Sequence, residues 1–349
     1  MKSDCILYYI RLLSNPIMAK TKNTKRSSQH TPYNAASAPS SKSSQSSGAQ
    51  NSGANLVAPN TNLGQHFLKN PAVVTSIVAK AAIKPTDVVL EIGPGTGNVT
   101  LPLLEQSKKT IAIEYDSRMV REVIKRVEGT PLEKKLQVIQ GDAIKTAWPF
   151  FDVMVANVPY QISSGLVFKL LAHRPLFRCA VMMFQEEFAL RLTARPGEAL
   201  YCRLSVNVQL LAKVDQLLKV GRNNFRPPPK VESRVVRIEP KNPPPPVNFV
   251  EWDGMVRLLF NRKNKTLRSV LMTKPTIKML EENRRTHLSL NTDSKKDGDD
   301  EMKDTQSIEQ IIEEVTGKEE WVGRRSSKLD LDDFLSLLAD FNSRGIHFA

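Results

Sequence analysis

Short apolar runs alternate with helical patterns over most of the chain, from about Leu63 to Pro240. The strand-like runs are residues 88–90, 109–113, 136–141, 151–156, 180–184, 206–211 and 235–238. The helical patterns that accompany them are residues 70–82, 98–106, 117–128 and 163–173. The first starts with an Asn-Pro pair, the third places Ile124 on its apolar face, and Ser163-Ser164 can cap the fourth. Such alternation predicts an α/β fold, in which a Rossmann-like parallel sheet is covered by helices on both faces.

A glycine-rich loop, Glu-Ile-Gly-Pro-Gly-Thr-Gly at residues 91–97, follows the first strand-like run and precedes a helical pattern. Its glycines, Gly93, Gly95 and Gly97, would let the backbone approach a ligand closely, and the helix start would present free N–H groups. No Gly-Lys-Ser/Thr follows, so the spacing excludes a phosphate-binding P-loop. The glycines alone leave open a dinucleotide fold and a simple tight turn.

Three polar residues end successive strand-like runs: Glu114, Asp142 and Asn157. Ligands of doubly wound sheets bind outside the carboxyl ends of the strands. Glu114 is therefore predicted to bind ribose hydroxyls, and Asp142 to accept a hydrogen bond from an adenine amino group. Either acid alone could be a solvated loop residue, but one polar residue at each strand end favours a binding site.

The third strand end continues as Asn157-Val158-Pro159-Tyr160. The Asn157 side-chain oxygen and a backbone carbonyl beside Pro159 can accept both protons of a planar NH2 group. Tyr160 offers an aromatic face to the base that carries this amine, a contact of ~1–3 kcal/mol per base. The motif thus predicts an amine held for attack on a methyl donor. The alternative is an ordinary turn, because Asn and Pro are common turn formers.

Composition favours a nucleic-acid partner. The 50 Lys and Arg residues outnumber the 36 Asp and Glu residues, which gives a formal charge of +14 and favours a polyanion. No apolar run approaches the ~20 residues that span a bilayer. The cysteines, Cys5, Cys179 and Cys202, have no metal-site spacing and are expected to be free thiols.

The two ends of the chain differ from its centre. Residues 1–60 are rich in Ser, Asn and Gln and are expected to form a disordered tail, in which Met18 is an alternative start. The basic run from Met18 to Arg26 is of the nuclear-targeting kind, or a solvated tail that touches RNA. Four consecutive prolines within residues 241–246 predict a stiff linker. Beyond it, residues 252–259, 263–280, 307–315 and 330–343 read as helices, and 291–305 as an acidic loop.

Two basic stretches are candidate RNA contacts. Arg257–Arg268 holds five Lys or Arg residues and predicts a phosphate-binding ridge on one helix, or else a solvated helix face. Lys219–Lys230 surrounds Phe225, which is predicted to be exposed for stacking; the alternative is that Phe225 packs against the following prolines. The predicted RNA contacts are Arg222, Arg226, Lys230, Arg262, Lys263 and Lys265.

Four segments together resemble the small-subunit rRNA adenine N6,N6-dimethyltransferase family, in its eukaryotic nucleolar branch. They are residues 64–70, 91–97, 157–164 and 224–233, and the similarity runs from about Leu63 to the C-terminal residues 345–348. The first ~60 residues and part of 287–325 lie outside it. The chain departs from the family pattern at Gly165, where Pro is frequent, at Glu186-Glu187, where a basic residue precedes Glu, and at Asn261, where an apolar residue is common.

The resemblance implies a class I methyltransferase sheet with an antiparallel member in residues 61–242 and a helical RNA-binding domain in residues 243–349. It implies S-adenosylmethionine as donor, no metal, and dimethylation of two adjacent adenosines near the 3′ end of 18S rRNA. Nucleolar localisation, a role in pre-rRNA processing and a monomer outside the pre-ribosomal particle follow from the same resemblance.

Site residues carried over from the family fall into two groups. The donor contacts are His66, Leu68, Gly93, Gly95, Gly97, Glu114, Asp142 and Asn157. The target base is held by Asn157, Pro159 and Tyr160, with Phe225 stacked on its other face. Two other functions stay open: a DNA adenine methyltransferase, separable by assays on RNA and DNA, and a non-catalytic assembly factor that binds pre-rRNA, separable by donor titration.

Overall fold

The computed structural model describes residues 58–60, 63–157, 159–292 and 306–349, without the side chains of 290–292. The predictions for the N-terminal tail up to residue 57, for Val158 and for residues 293–305 of the acidic loop lie outside the described residues.

Nine strands and eleven α-helices form the described part of the chain. The strands are β1 (Phe67–Leu68), β2 (Val88–Ile92), β3 (Lys109–Glu114), β4 (Leu136–Gln140), β5 (Val153–Asn157), β6 (Cys179–Gln185), β7 (Ala212–Val220), β8 (Phe225–Arg226) and β9 (Ser233–Pro240). The helices are α1 (Pro71–Ala81), α2 (Thr100–Gln106), α3 (Ser117–Val127), α4 (Ser163–Ala172), α5 (Glu186–Thr193), α6 (Arg203–Leu211), α7 (Phe249–Phe260), α8 (Leu267–Leu271), α9 (Lys274–Thr292), α10 (Ile308–Gly317) and α11 (Leu331–Asn342).

Seven strands form one sheet in the order β4-β3-β2-β5-β6-β9-β7. The first five of these are parallel, whereas β9 runs antiparallel to both β6 and β7. The predicted parallel sheet with an antiparallel member is confirmed. Strand β2 lies between β3 and β5, so the chain reverses its direction across the sheet at β2, and ligand sites form at such switch points.

Helices cover both faces of the sheet because successive strand residues point to opposite sides. Val89 of β2 packs with Val74 and Ile77 of α1 on one face, and Leu90 packs with Leu166 of α4 on the other. As predicted, α1 begins with an Asn-Pro pair: the Asn70 side chain accepts a hydrogen bond from the backbone N–H of Ala72, 3.0 Å away.

Three local predictions for this domain are wrong. Residues 206–211, predicted as a strand, end helix α6, and the strand follows as β7. A short apolar run fits a buried helix segment as well as a strand, so its periodicity could not decide. Ser163 does not cap α4 but lies buried in its first turn, and Ile124 of α3, predicted to face the core, is 46% exposed. Of the two described cysteines, both free thiols as predicted, Cys179 is buried and Cys202 only partly so.

The helical domain differs from its prediction in one place. Residues 263–280 are not one helix: Thr266 caps the short helix α8, and α9 starts anew at Lys274. Pro275 in the first turn of α9 lacks an N–H and suits a helix start rather than a helix interior. The basic stretch Arg257–Arg268 therefore spans the end of α7, a turn and the start of α8, and does not form one helix face.

The sheet domain and the helical domain share a hydrophobic core, in addition to their covalent connection through the proline-rich segment. Tyr201 and Val206 of the first domain pack with Trp252 and Phe334 of the second. The buried Tyr201 hydroxyl donates a hydrogen bond to the Leu329 carbonyl, 2.8 Å away. This shared core fixes the helical domain against the sheet. No helix of the described part is long and apolar enough to cross a membrane.

Candidate active site

A cavity of about 360 Å³ opens at the carboxyl edge of strands β2, β3, β4 and β5. Each of these strands contributes to the lining either its last residue or a residue of the loop that follows it. The lining includes Gln65, His66, Phe67, Gly93, Gly95, Glu114, Tyr115, Asp142, Asn157, Pro159, Tyr160 and Phe225. Most of the residues predicted for the donor and the target base thus meet in one place.

The glycine loop forms the floor of this cavity. Gly93 and Gly95 have φ values of +70° and +54°, a region that side chains disfavour. A Cβ at Gly95 would lie 3.1 Å from the Phe67 ring, and one at Gly93 would lie 3.5 Å from the Asn157 carbonyl. Both positions favour glycine because of their positive φ, and at Gly95 an added Cβ would also crowd the Phe67 ring.

Glu114 joins the glycine loop to the end of β3. Its Oε2 accepts a hydrogen bond from the Gly95 N–H at 3.2 Å, and its Oε1 accepts one from the Asp116 N–H at 2.9 Å. Burial raises the pKa of Glu114, although these backbone donors act in the opposite direction. A carboxylate has about four lone-pair positions, so the oxygens keep acceptor capacity for ribose hydroxyls.

The segment before β1 passes over the mouth of the cavity and is tied to Asp116. Gln65 donates its side-chain N–H to Asp116 Oδ2 at 2.9 Å, and Arg118 forms an ion pair with the same oxygen at 2.6 Å. The hydrogen bond from Arg118 lowers the pKa of Asp116 to about 2. Tyr115, between the two acids, is 63% exposed on the cavity wall. Sequence reasoning missed it, although an aromatic residue beside a strand-end acid is a usable signal.

The loop after β4 carries Asp142 and is held by a lysine that the sequence did not indicate. Asp142 Oδ1 accepts a hydrogen bond from the Ile144 N–H at 2.8 Å. The Lys169 ammonium on α4 donates to the carbonyls of Ala143, Ile144 and Thr146, at 2.9, 2.7 and 2.5 Å. Burial lowers the pKa of Lys169 to about 8, against the opposing charge of Asp142. Lys169 thereby fixes the loop that presents Asp142.

The orientation of the Asn157 side chain is set by a hydrogen bond to the backbone of His66. Its Nδ2 donates a hydrogen bond to the His66 carbonyl at 3.3 Å, which leaves Oδ1 as the acceptor of the side chain. The Pro159 carbonyl already accepts from the Ile162 N–H at 3.2 Å. Of the two predicted acceptors for an amino group, the Asn157 oxygen is in place; the carbonyl of Val158 lies outside the described residues.

Tyr160 is held at its hydroxyl end. The hydroxyl lies 2.9 Å from the Ser233 Oγ, at the start of β9, and Ser233 is buried. Burial raises the pKa of Tyr160, so the phenol stays protonated near neutral pH. The His66 ring is stacked at 6.4 Å from the Tyr160 ring. Ser233 thus sets the plane of the predicted stacking face, a role that sequence reasoning missed.

Replacing Ser233 by alanine is expected to lower kcat about fivefold, because one hydrogen bond of about 1 kcal/mol no longer fixes the Tyr160 ring. Ser233→Thr retains a hydroxyl and is the matched control, expected to stay nearer to the wild type. Steady-state methyl transfer, with kcat and KM determined separately, is the measurement. Equal kcat for the alanine variant and the wild type would contradict the role.

Phe225 corrects a prediction. It is only 3% exposed, because β8 pairs antiparallel with β1 and places Phe225 opposite Leu68 in the core. The ring still contributes to the cavity wall. The first proline after Phe225 is also held in place, because the Pro227 carbonyl accepts a hydrogen bond from His66 Nδ1 at 2.9 Å. The predicted exposure of Phe225 is therefore wrong, whereas its contact with the target base remains a prediction.

Two predicted donor residues do not line the main cavity. Leu68 is buried beside it, and its carbonyl accepts a hydrogen bond from Asn98 Nδ2 at 2.7 Å. Gly97 is the last residue of the glycine loop, where an added Cβ would meet Arg126 at 3.3 Å.

The predicted RNA contacts are spread over both domains. Arg222 donates to the Lys230 carbonyl at 3.3 Å beside the cavity loop, and Arg226, Arg262 and Lys265 are exposed. The Lys263 ammonium is used within the protein instead. It donates to the carbonyls of Ala199 and Tyr201, at 2.7 and 2.8 Å.

The family departure at Glu186 has a structural use. Glu186 pairs with Arg234 at 2.7 Å and with Lys219 at 3.4 Å, and Lys219 also pairs with Glu232. A basic residue in its place would leave Arg234 without this partner. Among the described residues, no group of three or more His, Cys, Asp or Glu residues could hold a metal ion.

A family model described as ribosomal RNA adenine dimethylase matches residues 57–313 of the chain. The chain belongs to this family. A dimethyladenosine transferase of Schizosaccharomyces pombe is 55% identical over 290 residues, which cover 83% of this chain and 92% of the relative. The dimethyladenosine transferase of Saccharomyces cerevisiae is 51% identical over 290 residues, or 83% and 91% of the two chains.

Solved structures agree with this family. A dimethyladenosine transferase from Plasmodium falciparum superposes with a TM-score of 0.74 at 45% identity, over 81% of this chain and all of that one (100%). The 23S rRNA methyltransferase ErmE, at 23% identity and a TM-score of 0.55, shares the fold over 79% of this chain and 99% of its own. The chain is thus an S-adenosylmethionine-dependent rRNA adenine dimethyltransferase with a class I methyltransferase fold.

The cavity fits this donor on structural grounds. Gly93 and Gly95 line the cavity with backbone alone, and two strand-end carboxyl groups, Glu114 and Asp142, line the wall beside them. Glu114 would hold the ribose and Asp142 the adenine. The donor supplies a methyl group that is already activated on a sulfonium, so the protein has mainly to align the acceptor nitrogen.

Proposed function

We propose that this enzyme dimethylates two adjacent adenosines near the 3′ end of the small-subunit 18S rRNA. We further propose that it acts on a pre-ribosomal particle and has a part in pre-rRNA processing and ribosome biogenesis. The observation that supports the chemistry best is the orientation of Asn157, whose Nδ2 is engaged by the His66 carbonyl so that Oδ1 is the acceptor for an adenine N6 amino group.

The residues around Asn157 define how the target base is held. Tyr160 offers a face fixed by Ser233, and Phe225 forms part of the wall. Within a duplex, N6 donates one proton to the partner base and the adenine is stacked between its neighbours, out of reach of Asn157, so the adenosine must be unpaired or flipped out. Asn157 accepts one N6 proton and directs the lone pair toward the methyl group. The methylated nitrogen is acidic enough to release its proton to water, so no strong general base is needed.

The experiment that tests this proposal maps dimethyladenosine in small-subunit rRNA from cells with the wild-type protein, without it, and with Asn157→Ala. Loss of both modified positions in the last two strains supports the proposal. If both positions persist without the protein, the assignment to this rRNA site is wrong. Purified enzyme tested on matched RNA and DNA oligonucleotides separates it from a DNA adenine methyltransferase.

The same strains also test whether the protein has a non-catalytic role in ribosome assembly. If Asn157→Ala cells lack dimethyladenosine and yet process pre-rRNA normally, whereas cells without the protein do not, binding rather than methylation serves ribosome assembly.

We propose that the exposed cations Arg262 and Lys265 bind RNA phosphates, whereas Lys263 joins the two domains. The double variant Arg262→Ala/Lys265→Ala is expected to bind RNA more weakly, with a logarithmic salt slope reduced by about 0.7–0.9 per lost phosphate contact. Donor affinity should not change, because both residues lie in the helical domain. RNA affinity measured across a salt series is the test.

Lys263→Ala is the matched control for this prediction. It removes one positive charge from the same turn, but its ammonium is bound to the Ala199 and Tyr201 carbonyls. It is expected to lower the melting temperature and to leave the salt slope close to that of the wild type. Equal slopes for the double variant and the wild type would place the RNA path elsewhere, around Arg222 and Arg226.

We propose nuclear and nucleolar localisation, supported by the basic run Met18–Arg26 and by the rRNA substrate of the family. Removing residues 1–56 is expected to spare methyl transfer by the purified enzyme and to reduce nucleolar accumulation of a fluorescent fusion. Unchanged accumulation would show that the targeting signal lies in the remaining chain.

A further inference from the structure

The loop between β4 and β5 forms one wall of the main cavity through its first residues, 141–143. It starts as a tight turn, in which the Asp142 carbonyl accepts hydrogen bonds from the N–H groups of Lys145 and Thr146, at 3.0 and 2.8 Å. The Asp142 carboxylate accepts another from the Ile144 N–H at 2.8 Å. The bonds inside the turn use its N–H groups, so most of its carbonyls need donors from outside the turn.

Lys169 on α4 supplies those donors. Its ammonium donates to the carbonyls of Ala143, Ile144 and Thr146, at 2.9, 2.7 and 2.5 Å. In the described part of the chain, the carbonyls of Ile144 and Thr146 accept from no other donor. The Trp148 ring lies against the same ammonium, with its centroid 4.7 Å from Nζ. One cation therefore holds the turn closed.

The closed turn fits the charged form of Lys169 and not the neutral form. A lysine ammonium has three N–H donors and no acceptor, and three carbonyls receive them here. A neutral amine has two N–H donors and a lone pair, so one carbonyl would lose its donor and face the lone pair. The contact with the Trp148 ring also depends on the positive charge. Loss of the proton is therefore expected to loosen the turn that carries Asp142.

The groups around Lys169 determine the pH at which this proton is lost. Burial lowers the pKa of Lys169 to about 8, while the negative charge of Asp142 acts in the opposite direction. His173, which follows α4, is the other titratable group beside it; burial and the charges of Arg174 and Lys169 lower the pKa of His173. Lys145, within the turn itself, is exposed. The ammonium of Lys169 therefore prevails below about pH 8, and the amine prevails above it.

We propose that Lys169 is a positioning residue for the methyl donor, and that its ammonium keeps the Asp142 turn closed around the adenosine half of the donor. Lys169 does not line the main cavity, so it acts through the turn. The proposal rests on the predicted contact between Asp142 and adenine, and it assumes nothing about the RNA.

A dependence of donor affinity on pH follows from this role. The donor binds the closed turn better than the loosened one, and the closed turn requires the ammonium. Binding therefore raises the pKa of Lys169 above its value in the donor-free protein, and a proton is taken up near pH 8. Affinity is then highest below that pH and falls as the pH rises through it. A protein without an ionisable group at position 169 has no such dependence.

The test measures the binding of 5′-methylthioadenosine to the full-length protein by calorimetry, from about pH 7 to 9.5. This ligand carries the adenine and the ribose of the donor and has no group that titrates in that range. The wild type is expected to lose affinity at least about threefold over the range. Lys169→Met removes the charge and keeps most of the side-chain volume. It is expected to bind about tenfold more weakly at pH 7 and to show no pH dependence.

Lys145→Met is the matched control. It removes a positive charge from the same turn, but the Lys145 side chain is exposed and is not among the groups that hold the carbonyls of the turn. This variant should keep both the affinity and the pH dependence of the wild type.

An affinity of Lys169→Met equal to that of the wild type at pH 7, or the same pH dependence in both, would overturn the proposal. If Lys169→Met does not fold, the wild type alone decides through its proton balance, measured at about pH 8 in buffers of different ionisation enthalpy. Proton uptake on binding supports the proposal, whereas release or no exchange overturns it. The experiment uses no RNA, so its failure is separable from a failure of the proposed rRNA site.

Discussion

Asn157→Ala is expected to lower kcat for methyl transfer by at least about a thousandfold while the protein stays folded. The side-chain oxygen is the acceptor left free after Nδ2 binds the His66 carbonyl, and the alanine variant has no substitute for it. A positioned polar group that acts in the transition state contributes about 10²–10³ to kcat. Misalignment of the target nitrogen adds to that loss.

The measurement is single-turnover methyl transfer to the RNA substrate with saturating donor. Asn224→Ala is the matched control. Asn224 directly precedes β8; its Oδ1 accepts a hydrogen bond from Asn70, and its Nδ2 donates one to the Gly221 carbonyl. The Asn224→Ala substitution therefore removes the same kind of side chain near the site and leaves the Asn157 oxygen in place. Its turnover should stay within about tenfold of the wild type. A rate for Asn157→Ala equal to that of this control would remove Asn157 from the chemistry.

Gly254→Ala is expected to be the most destabilising single methyl addition in the helical domain, by on the order of 3 kcal/mol. Gly254 lies inside α7, and the C-terminal tail crosses directly over it. An added Cβ would overlap the Phe348 carbonyl oxygen and lie 3.0 Å from its carbonyl carbon. The tail has no freedom to move away, because the Phe348 N–H is bonded to Glu251 at 2.7 Å.

Gly317→Ala is the control, and its effect on the free energy of unfolding is expected to have the opposite sign or to be close to zero. It ends α10, and an added Cβ would meet nothing within 4 Å. Alanine in a helix is favoured over glycine by about 0.5–1 kcal/mol, so this variant should be as stable as the wild type or slightly more stable. Urea unfolding of both variants is the measurement. Similar stabilities for the two would show that the tail yields readily at Phe348.

The site was largely predictable from the sequence because its position depends on strand order alone. Glu114, Asp142 and Asn157 each end a parallel strand, and parallel strands bring their carboxyl ends to one edge. The glycine loop was recognisable for a similar reason, since the turn that follows β2 holds Gly93 and Gly95 at positive φ, which side chains disfavour.

Contacts between distant segments were not predictable. Phe225 has basic neighbours in sequence and reads as exposed, but its pairing partner Leu68 is more than 150 residues away. Lys263 looks like its neighbours Arg262 and Lys265, and only the approach of residues 199–201 decides that its ammonium is bound internally. Residues 206–211 are equally compatible with helix and strand until the neighbouring elements are placed.

The sequence by itself determined the fold class, the edge of the sheet that carries the site and the residue types at that edge. These depend on the periodicity of apolar residues and on where each strand ends, and both can be recognised within a short stretch of sequence. Only the tertiary structure decided that the side-chain nitrogen of Asn157 is engaged and its oxygen is left as the acceptor, which hydroxyl fixes Tyr160, and that Oε2 of Glu91 is buried without a hydrogen-bond partner among the described residues. These depend on hydrogen bonds between His66, Ser233 and their distant partners, and on burial, which arises only when separate segments pack together.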